Sequence, residues 1–218
     1  MFVKLDTDGA ASEAADVPCP SVYVVDDEPG VRRYLQRLIG DSGLWIKSFS
    51  SASEFLGYPR HEGPGCLVLD MCLPGLDGLG LQQNLEDRGD PLPIIFISGY
   101  GTVRSSVQAM RSGAVDFLTK PLDGTELLTA IDRALERSRE EWACSRRDET
   151  LRKRLAALTR REVEVIQHVA HGRINKQIAA ELGIVEKTVK VHRGRAMQKL
   201  GVKSVAELVQ LLGRLDLA

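Results

Sequence analysis

The chain has 218 residues, of which 43% are hydrophobic and 27% charged, and its formal net charge at pH 7 is −1. The composition is ordinary for a soluble globular protein, and the length suggests two modest domains. No apolar run approaches the roughly 18–20 residues that span a bilayer, and no apolar signal core follows Met1. We therefore expect a cytoplasmic protein that does not enter membranes, with its four cysteines reduced.

Charge is distributed unevenly along the chain. Residues 1–141 carry 13 Lys and Arg against 22 Asp and Glu, a net charge of −9, whereas residues 142–218 carry 16 against 8, a net charge of +8. An acidic first part followed by a basic tail predicts that the tail binds a polyanion. A solvated basic face would have the same composition, so charge alone leaves that alternative open.

The first part of the chain alternates short apolar strands with amphipathic helices. Residues 1–20 are polar and rich in alanine, which predicts a disordered N-terminal tail. Apolar runs then predict five strands, at 22–25, 44–49, 66–69, 92–97 and 115–118. Because helical patterns separate and follow these strands, residues 21–137 indicate an α/β fold, a doubly wound (βα)5 parallel sheet with helices on both faces.

The second part is predicted to be entirely helical. Residues 138–155 are mostly charged or small and lack Gly and Pro, which favours a long linker helix over the alternative of a disordered charged linker. Residues 156–218 predict an all-α domain of four helices, the first opened by a capping box at Thr159–Glu162. A short helix ending at Gly183 and a longer basic helix over Val185–Leu200 are typical of a helix-turn-helix.

Polar side chains occur where four of the predicted strands end. The first strand is followed by Asp26 and Asp27, the third by Asp70, the fourth by Ser98 and the fifth by Lys120. The carboxyl ends of parallel strands meet at one edge of a sheet, so we expect these groups to converge. Converging carboxylates need a cation between them, and oxygen ligands favour Mg²⁺. With Lys120 beside a phosphoryl oxygen, the set predicts a phosphoryl-transfer site in which Asp70 is the nucleophile.

Residues 20–137 resemble the CheY-like receiver domain of two-component response regulators, because these strand-end features occur in the family's order. The resemblance implies that Asp27, Asp70 and the backbone carbonyl of Cys72 bind Mg²⁺ directly, while Asp26 binds it through water. A phosphohydrolase of the haloacid dehalogenase type is the competing class. It needs a second acid two positions after its nucleophile, where this chain has Cys72.

The receiver resemblance also implies roles near the fourth and fifth strands. Lys120 would contact the phosphoryl group, and the Lys120–Pro121 bond would be cis. Ser98 and Phe117 would form a switch that responds to phosphorylation. Tyr100 and Cys72 border the path of the attacking water in this family, so we expect slow hydrolysis of the phosphoaspartate.

Residues 156–217 resemble the LuxR-type helix-turn-helix of the NarL/FixJ group. The matching segments are 158–162 (LTRRE), 175–179 (NKQIA), 182–184 (LGI), 188–192 (TVKVH) and 199–200 (KL). The resemblance implies that Val185–Leu200 is the recognition helix. By this resemblance, bases would be contacted by Lys190, Val191, Arg193 and Arg195. DNA phosphates would be contacted by Thr188, Asn175, Lys176 and Lys199.

Two positions depart from the family pattern. Val185 stands where the family usually has Ser or Thr, which puts a phosphate contact or helix cap in doubt. Gly194 stands where a longer side chain often reaches a base, so base readout should rest more on Lys190, Arg193 and Arg195. We expect His192 to pack within the domain or to contact the backbone.

Together, the two resemblances imply a phosphorylation-dependent transcriptional response regulator of the FixJ-like branch. A sensor histidine kinase would phosphorylate Asp70, and the mainly monomeric chain would then form a homodimer that binds promoter DNA and acts with RNA polymerase. The dimer face would lie on the fourth helix, at Val103, Arg104, Val107, Met110 and Arg111. We expect no enzymatic activity beyond self-directed phosphotransfer and dephosphorylation. The alternative is a phosphorylation-independent DNA-binding protein that keeps the receiver as a dimerisation scaffold.

Overall fold

The first part of the chain folds around a parallel β-sheet. The computed structural model describes residues 18–60, 62–90, 92–99 and 103–213. Its contacts define a first unit that ends at Trp142 and a second that begins at Ala143. The sheet of the first unit has the order β2-β1-β3-β4-β5. All neighbouring strands are parallel, which confirms the predicted parallel sheet. Its strands are β1 (Ser21–Val25), β2 (Trp45–Phe49), β3 (Gly65–Asp70), β4 (Ile94–Ser98) and β5 (Asp116–Thr119).

Five helices accompany the strands within the described residues, and the last of them continues past Trp142, where the first unit ends. They are α1 (Pro29–Asp41), α2 (Ala52–Leu56), α3 (Gly78–Asp87), α4 (Val103–Arg111) and α5 (Gly124–Ala156). None of the helices in the described part of the chain combines the length and the apolar character that crossing a bilayer requires. Residues 1–17 of the predicted N-terminal tail lie outside the described residues.

The two faces of the sheet are covered by different helices. Alternate strand residues point to opposite faces, so Tyr23 and Leu69 join a core with α2, α3 and α4. Their neighbours Val24 and Val68 join a second core with α1 and α5. Burial on both faces explains why β1 and β3 are continuous apolar runs.

Two predicted strands are displaced in the structure. The sequence predicted 92–97 and 115–118, whereas β4 covers Ile94–Ser98 and β5 covers Asp116–Thr119. Pro93 has no N–H to donate to the sheet, although its carbonyl oxygen accepts a hydrogen bond from the Leu67 N–H at 2.9 Å. The change moves Ser98 from the residue after the strand to its last residue.

Helix α5 continues through the segment predicted as a linker. It spans 33 residues, so the structure is helical where a disordered charged linker was the alternative. Ser138 is buried, and its hydroxyl oxygen accepts a hydrogen bond from the Gly65 N–H at 2.9 Å. The first unit therefore includes residues beyond the receiver boundary predicted at 137.

The second unit contains the predicted helix-turn-helix. Its helices after α5 are α6 (Arg160–Ala170), α7 (Asn175–Leu182), α8 (Glu186–Leu200) and α9 (Val205–Gly213). Thr159 and Glu162 form the predicted capping box at the start of α6. Gly183 ends α7 with a positive φ of 64°, which glycine adopts without steric cost. Inward-facing apolar residues of α6 to α9 form one core; residues 214–218 lie outside the described part.

Candidate functional site

Three carboxylates meet at the carboxyl edge of the sheet. Asp26 and Asp27 follow β1, and Asp70 is the last residue of β3. Each places a carboxylate oxygen within 4.8 Å of the other two. Asp26 is 0% exposed and Asp70 is 4% exposed, whereas Asp27 faces solvent. The predicted convergence is therefore present, with two of the three negative charges shielded from water.

Lys120 compensates this negative charge. Its Nζ donates hydrogen bonds to Asp26 Oδ2 at 2.8 Å, to Asp70 Oδ2 at 2.7 Å and to Glu28 Oε1 at 3.0 Å. Burial alone would lower the pKa of Lys120, but these three carboxylates raise it above its ordinary value. Burial raises the pKa of Asp26, and its hydrogen bonds with Lys120 and the Glu28 N–H oppose that rise. Lys120 is thus the charged centre of the cluster.

The backbone holds both sides of the site. The Lys120–Pro121 peptide bond is cis, as predicted, and the Lys120 N–H donates to the Ser98 carbonyl oxygen at 2.8 Å. After β3, the Cys72 N–H donates to Asp70 Oδ1 at 2.9 Å, so the turn itself orients the carboxylate. That bond uses one Asp70 oxygen, while Lys120 binds the other.

The start of α3 makes a close backbone contact with the turn after Asp70. The Gly78 N–H donates to the Met71 carbonyl oxygen at 3.1 Å. A Cβ at Gly78 would lie 2.7 Å from the Asp70 carbonyl oxygen and 3.0 Å from Phe96 Cε1. Glycine is required here because of this approach, which lets the start of α3 lie directly against the end of β3.

The two predicted switch residues lie on neighbouring strands. Ser98, at the end of β4, is fully buried, and Phe117 on β5 is half-buried against the core that includes Phe96. Ser98 pairs with Thr119 in the sheet register, next to Lys120. Tyr100, predicted to slow phosphoaspartate hydrolysis, lies outside the described residues, and its effect stays a prediction.

The donor set at this edge fits a hard divalent cation. Three carboxylates are available, and all their donor atoms are oxygens, which Mg²⁺ prefers over nitrogen or sulfur ligands. The acidic groups are close enough to share one ion, and Cys72 follows in the turn after Asp70. The site can therefore combine a metal, a lysine and a carboxylate nucleophile.

A second candidate surface lies on α8. Val189, Ala196 and Leu200 are buried against the second unit's core, so the opposite side of the helix faces solvent. The exposed side presents Lys187, Lys190, Val191, Gly194 and Arg195. These spacings of three and four residues place the exposed positions on one face of the helix. A helix with such a face can enter the major groove of DNA.

Several predicted DNA contacts already have partners within the second unit. Lys190 Nζ lies 3.3 Å from Glu186 Oε1, and Arg193 donates to Asn175 Oδ1 at 3.3 Å. Lys199 donates to Glu162 Oε2 at 2.7 Å. Lys199 and the Thr159 N–H together lower the pKa of Glu162 to about 2. Lys199 therefore supports the start of α6, and its phosphate contact stays a prediction, as do those of Thr188 and Lys176.

Val185 and Gly194, the two positions that depart from the family pattern, both lie on the exposed surface of the second unit. Val185 is the N-cap of α8, makes no side-chain cap hydrogen bond and is 66% exposed. A Cβ at Gly194 would meet nothing within 4 Å, so a side chain can begin there without a steric clash. His192 is half-buried, and its packing within the domain stays a prediction.

Sequence reasoning gave no role to two residues that the structure brings into these surfaces. Glu28 supplies the third carboxylate on Lys120, although it sits one position beyond the two recognised aspartates. Lys187 adds a cation to the exposed face of α8, and its helical spacing from Lys190 and Val191 was the signal that could have identified it.

Comparison with known proteins agrees with this geometry. Residues 22–132 match the response regulator receiver domain, and residues 156–212 match the bacterial regulatory proteins of the luxR family. The response regulator protein TodT of Pseudomonas putida is 42% identical over 194 residues, covering 89% of this chain and 86% of TodT. The transcriptional regulatory protein FixJ of Azorhizobium caulinodans is 38% identical over 190 residues, covering 87% and 90%. The structure of the response regulator StyR is similar with a TM-score of 0.83 and 44% identity, covering 90% of this chain and 100% of StyR.

Proposed function

The chain belongs to the response regulators that join a receiver domain to a LuxR-type DNA-binding domain, and on that premise we propose that phosphorylation of Asp70 controls its binding to promoter DNA. The phosphoryl donor is a sensor histidine kinase. The observation that carries the proposal is the contact of Lys120 with Asp26 and Asp70, with Asp27 beside them. This contact supports the proposal because the Asp70 carboxylate lies beside a positive charge and two further carboxylates.

The transfer needs one nucleophile and one leaving group. A carboxylate oxygen of Asp70 attacks the phosphorus of the kinase phosphohistidine, the P–N bond breaks, and the departing histidine nitrogen recovers a proton from water. The Cys72 N–H orients Asp70 from one side. Lys120 exchanges its bond to Asp70 Oδ2 for one to a phosphoryl oxygen.

The acidic groups of the site would also hold a magnesium ion. Asp27, Asp70 and the backbone carbonyl of Cys72 would hold Mg²⁺, with Asp26 acting through water, and the ion supplies positive charge opposite the phosphoryl oxygens. Asp26 is fully buried and already bonded to Lys120, which supports an indirect role for its carboxylate. The carboxylate of Asp27 is exposed and grouped with those of Asp26 and Asp70, which supports a direct contact with the ion.

Phosphorylation of Asp70 then changes the structure of the α4 and β5 surface. Ser98 and Phe117 move inward when the phosphoryl group arrives, and this movement changes the surface on which two chains meet. Val107 and Met110 on α4 are 43% and 45% exposed, which gives that surface an apolar centre. Arg111 adds charge, and the side chains of Val103 and Arg104 lie outside the described residues. We expect a two-fold homodimer through this face when Asp70 is phosphorylated, and mainly monomer otherwise.

The dimer places two α8 helices on DNA. The exposed face of α8 supplies Lys190, Val191 and Arg195 to bases, and Arg193 reaches a base by leaving its hydrogen bond with Asn175. Phosphate contacts from Thr188, Asn175, Lys176 and Lys199 set the register. Two such helices fit half-sites roughly 10 base pairs apart, centre to centre. The bound dimer then acts with RNA polymerase to change transcription.

Phosphorylation is tested by intact mass after treatment with acetyl phosphate and Mg²⁺. The native chain should gain one phosphoryl group that is labile to acid, as expected of an acyl phosphate, and Asp70→Asn should gain none. Asp87→Asn, on the exposed side of α3, is the matched control and should label normally. Failure of the native chain to label, together with unchanged DNA binding, would favour the phosphorylation-independent alternative.

Dimerisation is tested by sedimentation velocity with and without beryllofluoride. The native chain should form a dimer only with beryllofluoride and should bind paired half-sites, found by footprinting on genomic DNA, more tightly than a single one. Met110→Glu should stay monomeric, while Gln108→Glu, on another face of α4, should dimerise. A beryllofluoride-loaded monomer that binds one half-site as tightly as two would contradict the dimer mechanism.

A further inference from the structure

The exposed face of α8 has a central row of residues. Its members are all exposed and follow at spacings of four, three and four positions: Lys187, Val191, Gly194 and Gln198. Three of them stand two positions before the residues of α8 that are buried in the core of the second unit, namely Val189, Ala196 and Leu200. Because two positions turn an α-helix by about 200°, the central row lies opposite the buried side of α8.

Lys187 is the cation of this central row. Gly194 has no side chain and Val191 has a short apolar one, so neither can donate a hydrogen bond to DNA. Lys190 and Arg195 lie about 70° to either side of the row's centre and approach a groove from its sides. Lys187 is the second residue of α8. In helix-turn-helix proteins, the N-terminal residues of the recognition helix are those that contact base edges.

The charge of Lys187 is not compensated within the described residues. Lys187 forms no ion pair with any of them. Its neighbour Glu186 faces Lys190 instead, with Glu186 Oε1 at 3.3 Å from Lys190 Nζ. A lysine ammonium has three hydrogen-bond donors and no acceptor, so the group that Lys187 meets on DNA must offer acceptors.

The shape of the major groove decides which acceptors a residue in this row meets. The groove is about 12 Å wide and admits one α-helix. The middle of the inserted face meets the floor of the groove, where the base edges lie, whereas the sides of the helix meet the phosphates along its walls. On that floor guanine presents two acceptors, O6 and N7. Adenine and thymine present one each, and cytosine presents none.

We propose that Lys187 reads a guanine in each half-site of the DNA, in addition to the base contacts proposed above. The inference rests on the proposed binding of promoter DNA. Lys187 Nζ donates to O6 and N7 of the guanine. A lysine that contacts only phosphates would hold every sequence equally well, so the two kinds of contact have different consequences for sequence preference.

Selection from a random-sequence duplex library tests this contact. The full-length chain is loaded with beryllofluoride, and the bound duplexes are sequenced. The native chain should select guanine at one position of each half-site that Lys187→Met no longer selects. On the duplex chosen by the native chain, Lys187→Met should bind about fivefold or more weakly. Replacing that guanine by 7-deazaguanine, which lacks the N7 acceptor, should weaken the native chain but leave Lys187→Met unaffected.

Two further variants make the test specific. Lys187→Arg keeps donors for guanine O6 and N7 and should keep the preference. Lys203→Met removes an exposed lysine that follows α8, and should leave both the preference and the affinity unchanged.

The proposal is overturned if Lys187→Met selects the same bases as the native chain. That includes uniform weakening on all sequences with a salt slope lower by about one, which would assign Lys187 to a phosphate. It is also overturned if 7-deazaguanine weakens Lys187→Met as much as the native chain. A native chain that selects no sequence at all would overturn the proposed function together with this contact, whereas the other outcomes leave the proposed function intact.

Discussion

Removing the charge of Lys120 should destabilise the first unit when no divalent cation is present. Lys120→Met keeps a long apolar stem but leaves Asp26, Asp27 and Asp70 within 4.8 Å of one another with no ammonium between them. Asp26 is 0% exposed and Asp70 is 4% exposed, so water cannot replace the lost hydrogen bonds. The carboxylates must then repel one another or take up protons.

The size of the effect follows from the burial of the partners. Removing one member of a buried ion pair costs about 3–5 kcal/mol. The Lys120 side chain is 15% exposed and the carboxylates can protonate, so we expect the lower end, about 3 kcal/mol at pH 7.5 in EDTA. Adding Mg²⁺ at a hundred times its Kd for the Lys120→Met variant should raise the variant's free energy of unfolding by about 2.7 kcal/mol.

Urea unfolding followed by tryptophan fluorescence measures this change. Both tryptophans, Trp45 and Trp142, belong to the first unit, so the signal reports that unit alone. The variant should lose stability as pH rises from about 4 to 8. Burial raises the pKa of Asp26 above its ordinary value of 3.8, and the loss of Lys120 raises it further. A carboxyl group with a raised pKa stabilises the folded state at low pH and loses that contribution as pH rises.

Arg37→Met is the matched control. Arg37 forms an exposed ion pair with Asp41, and its loss should change the free energy of unfolding by less than about 1 kcal/mol. The reasoning fails if Lys120→Met unfolds within about 1 kcal/mol of the native chain in EDTA, or if Mg²⁺ stabilises the variant no more than the native chain. Either result would mean that the three carboxylates are neutralised by solvent rather than by Lys120.

Three other substitutions test particular contacts. Ser138→Ala leaves the buried Gly65 N–H without an acceptor and should lower the free energy of unfolding of the first unit by about 1–2 kcal/mol in the same urea assay. Because Lys199 lowers the pKa of Glu162 from 4.5 to about 2, this pair stabilises α6 above pH 4.5 and loses its effect as pH falls toward 2. Lys199→Met should flatten that dependence, measured by hydrogen exchange of the α6 amides between pH 5 and pH 3. Gly194→Lys should increase DNA affinity and steepen the slope of log K against log salt by about one, because the open position at Gly194 admits the longer side chain.

Much of the first unit could be predicted because its signals are local. An unbroken apolar run such as Leu67–Leu69 indicates burial on both faces of a sheet, and the polar residue after it marks the carboxyl end. Those two facts were sufficient to place Asp26, Asp70 and Lys120 at one edge. The capping box could be predicted for the same reason, because its two partners, Thr159 and Glu162, are only three residues apart.

The contacts that sequence patterns missed join distant parts of the chain. Ser138 and Gly65 are 73 positions apart, and Gln82 and Ser112 are 30 apart, so no periodicity relates them. Pairing of Glu28 with Lys120 spans 92 positions and depends on how β1 and β5 bring their ends together. Strand ends were displaced for a similar reason, because the hydrogen-bonding register between neighbouring strands decides where a strand stops.

The contact of Gly78 with the end of β3 limits which sequences this receiver can explore. Gly78 has no functional group, yet even a single methyl there would meet the Asp70 carbonyl oxygen at 2.7 Å. In a saturation library selected for regulation, position 78 should therefore tolerate as few replacements as Asp70 itself. Asp27 carries a proposed metal contact but is exposed, so we expect its replacement to disturb the backbone less than a replacement at Gly78. We therefore expect positions that tolerate few substitutions in this domain to include residues packed closely against the backbone, as well as residues that take part in phosphorylation.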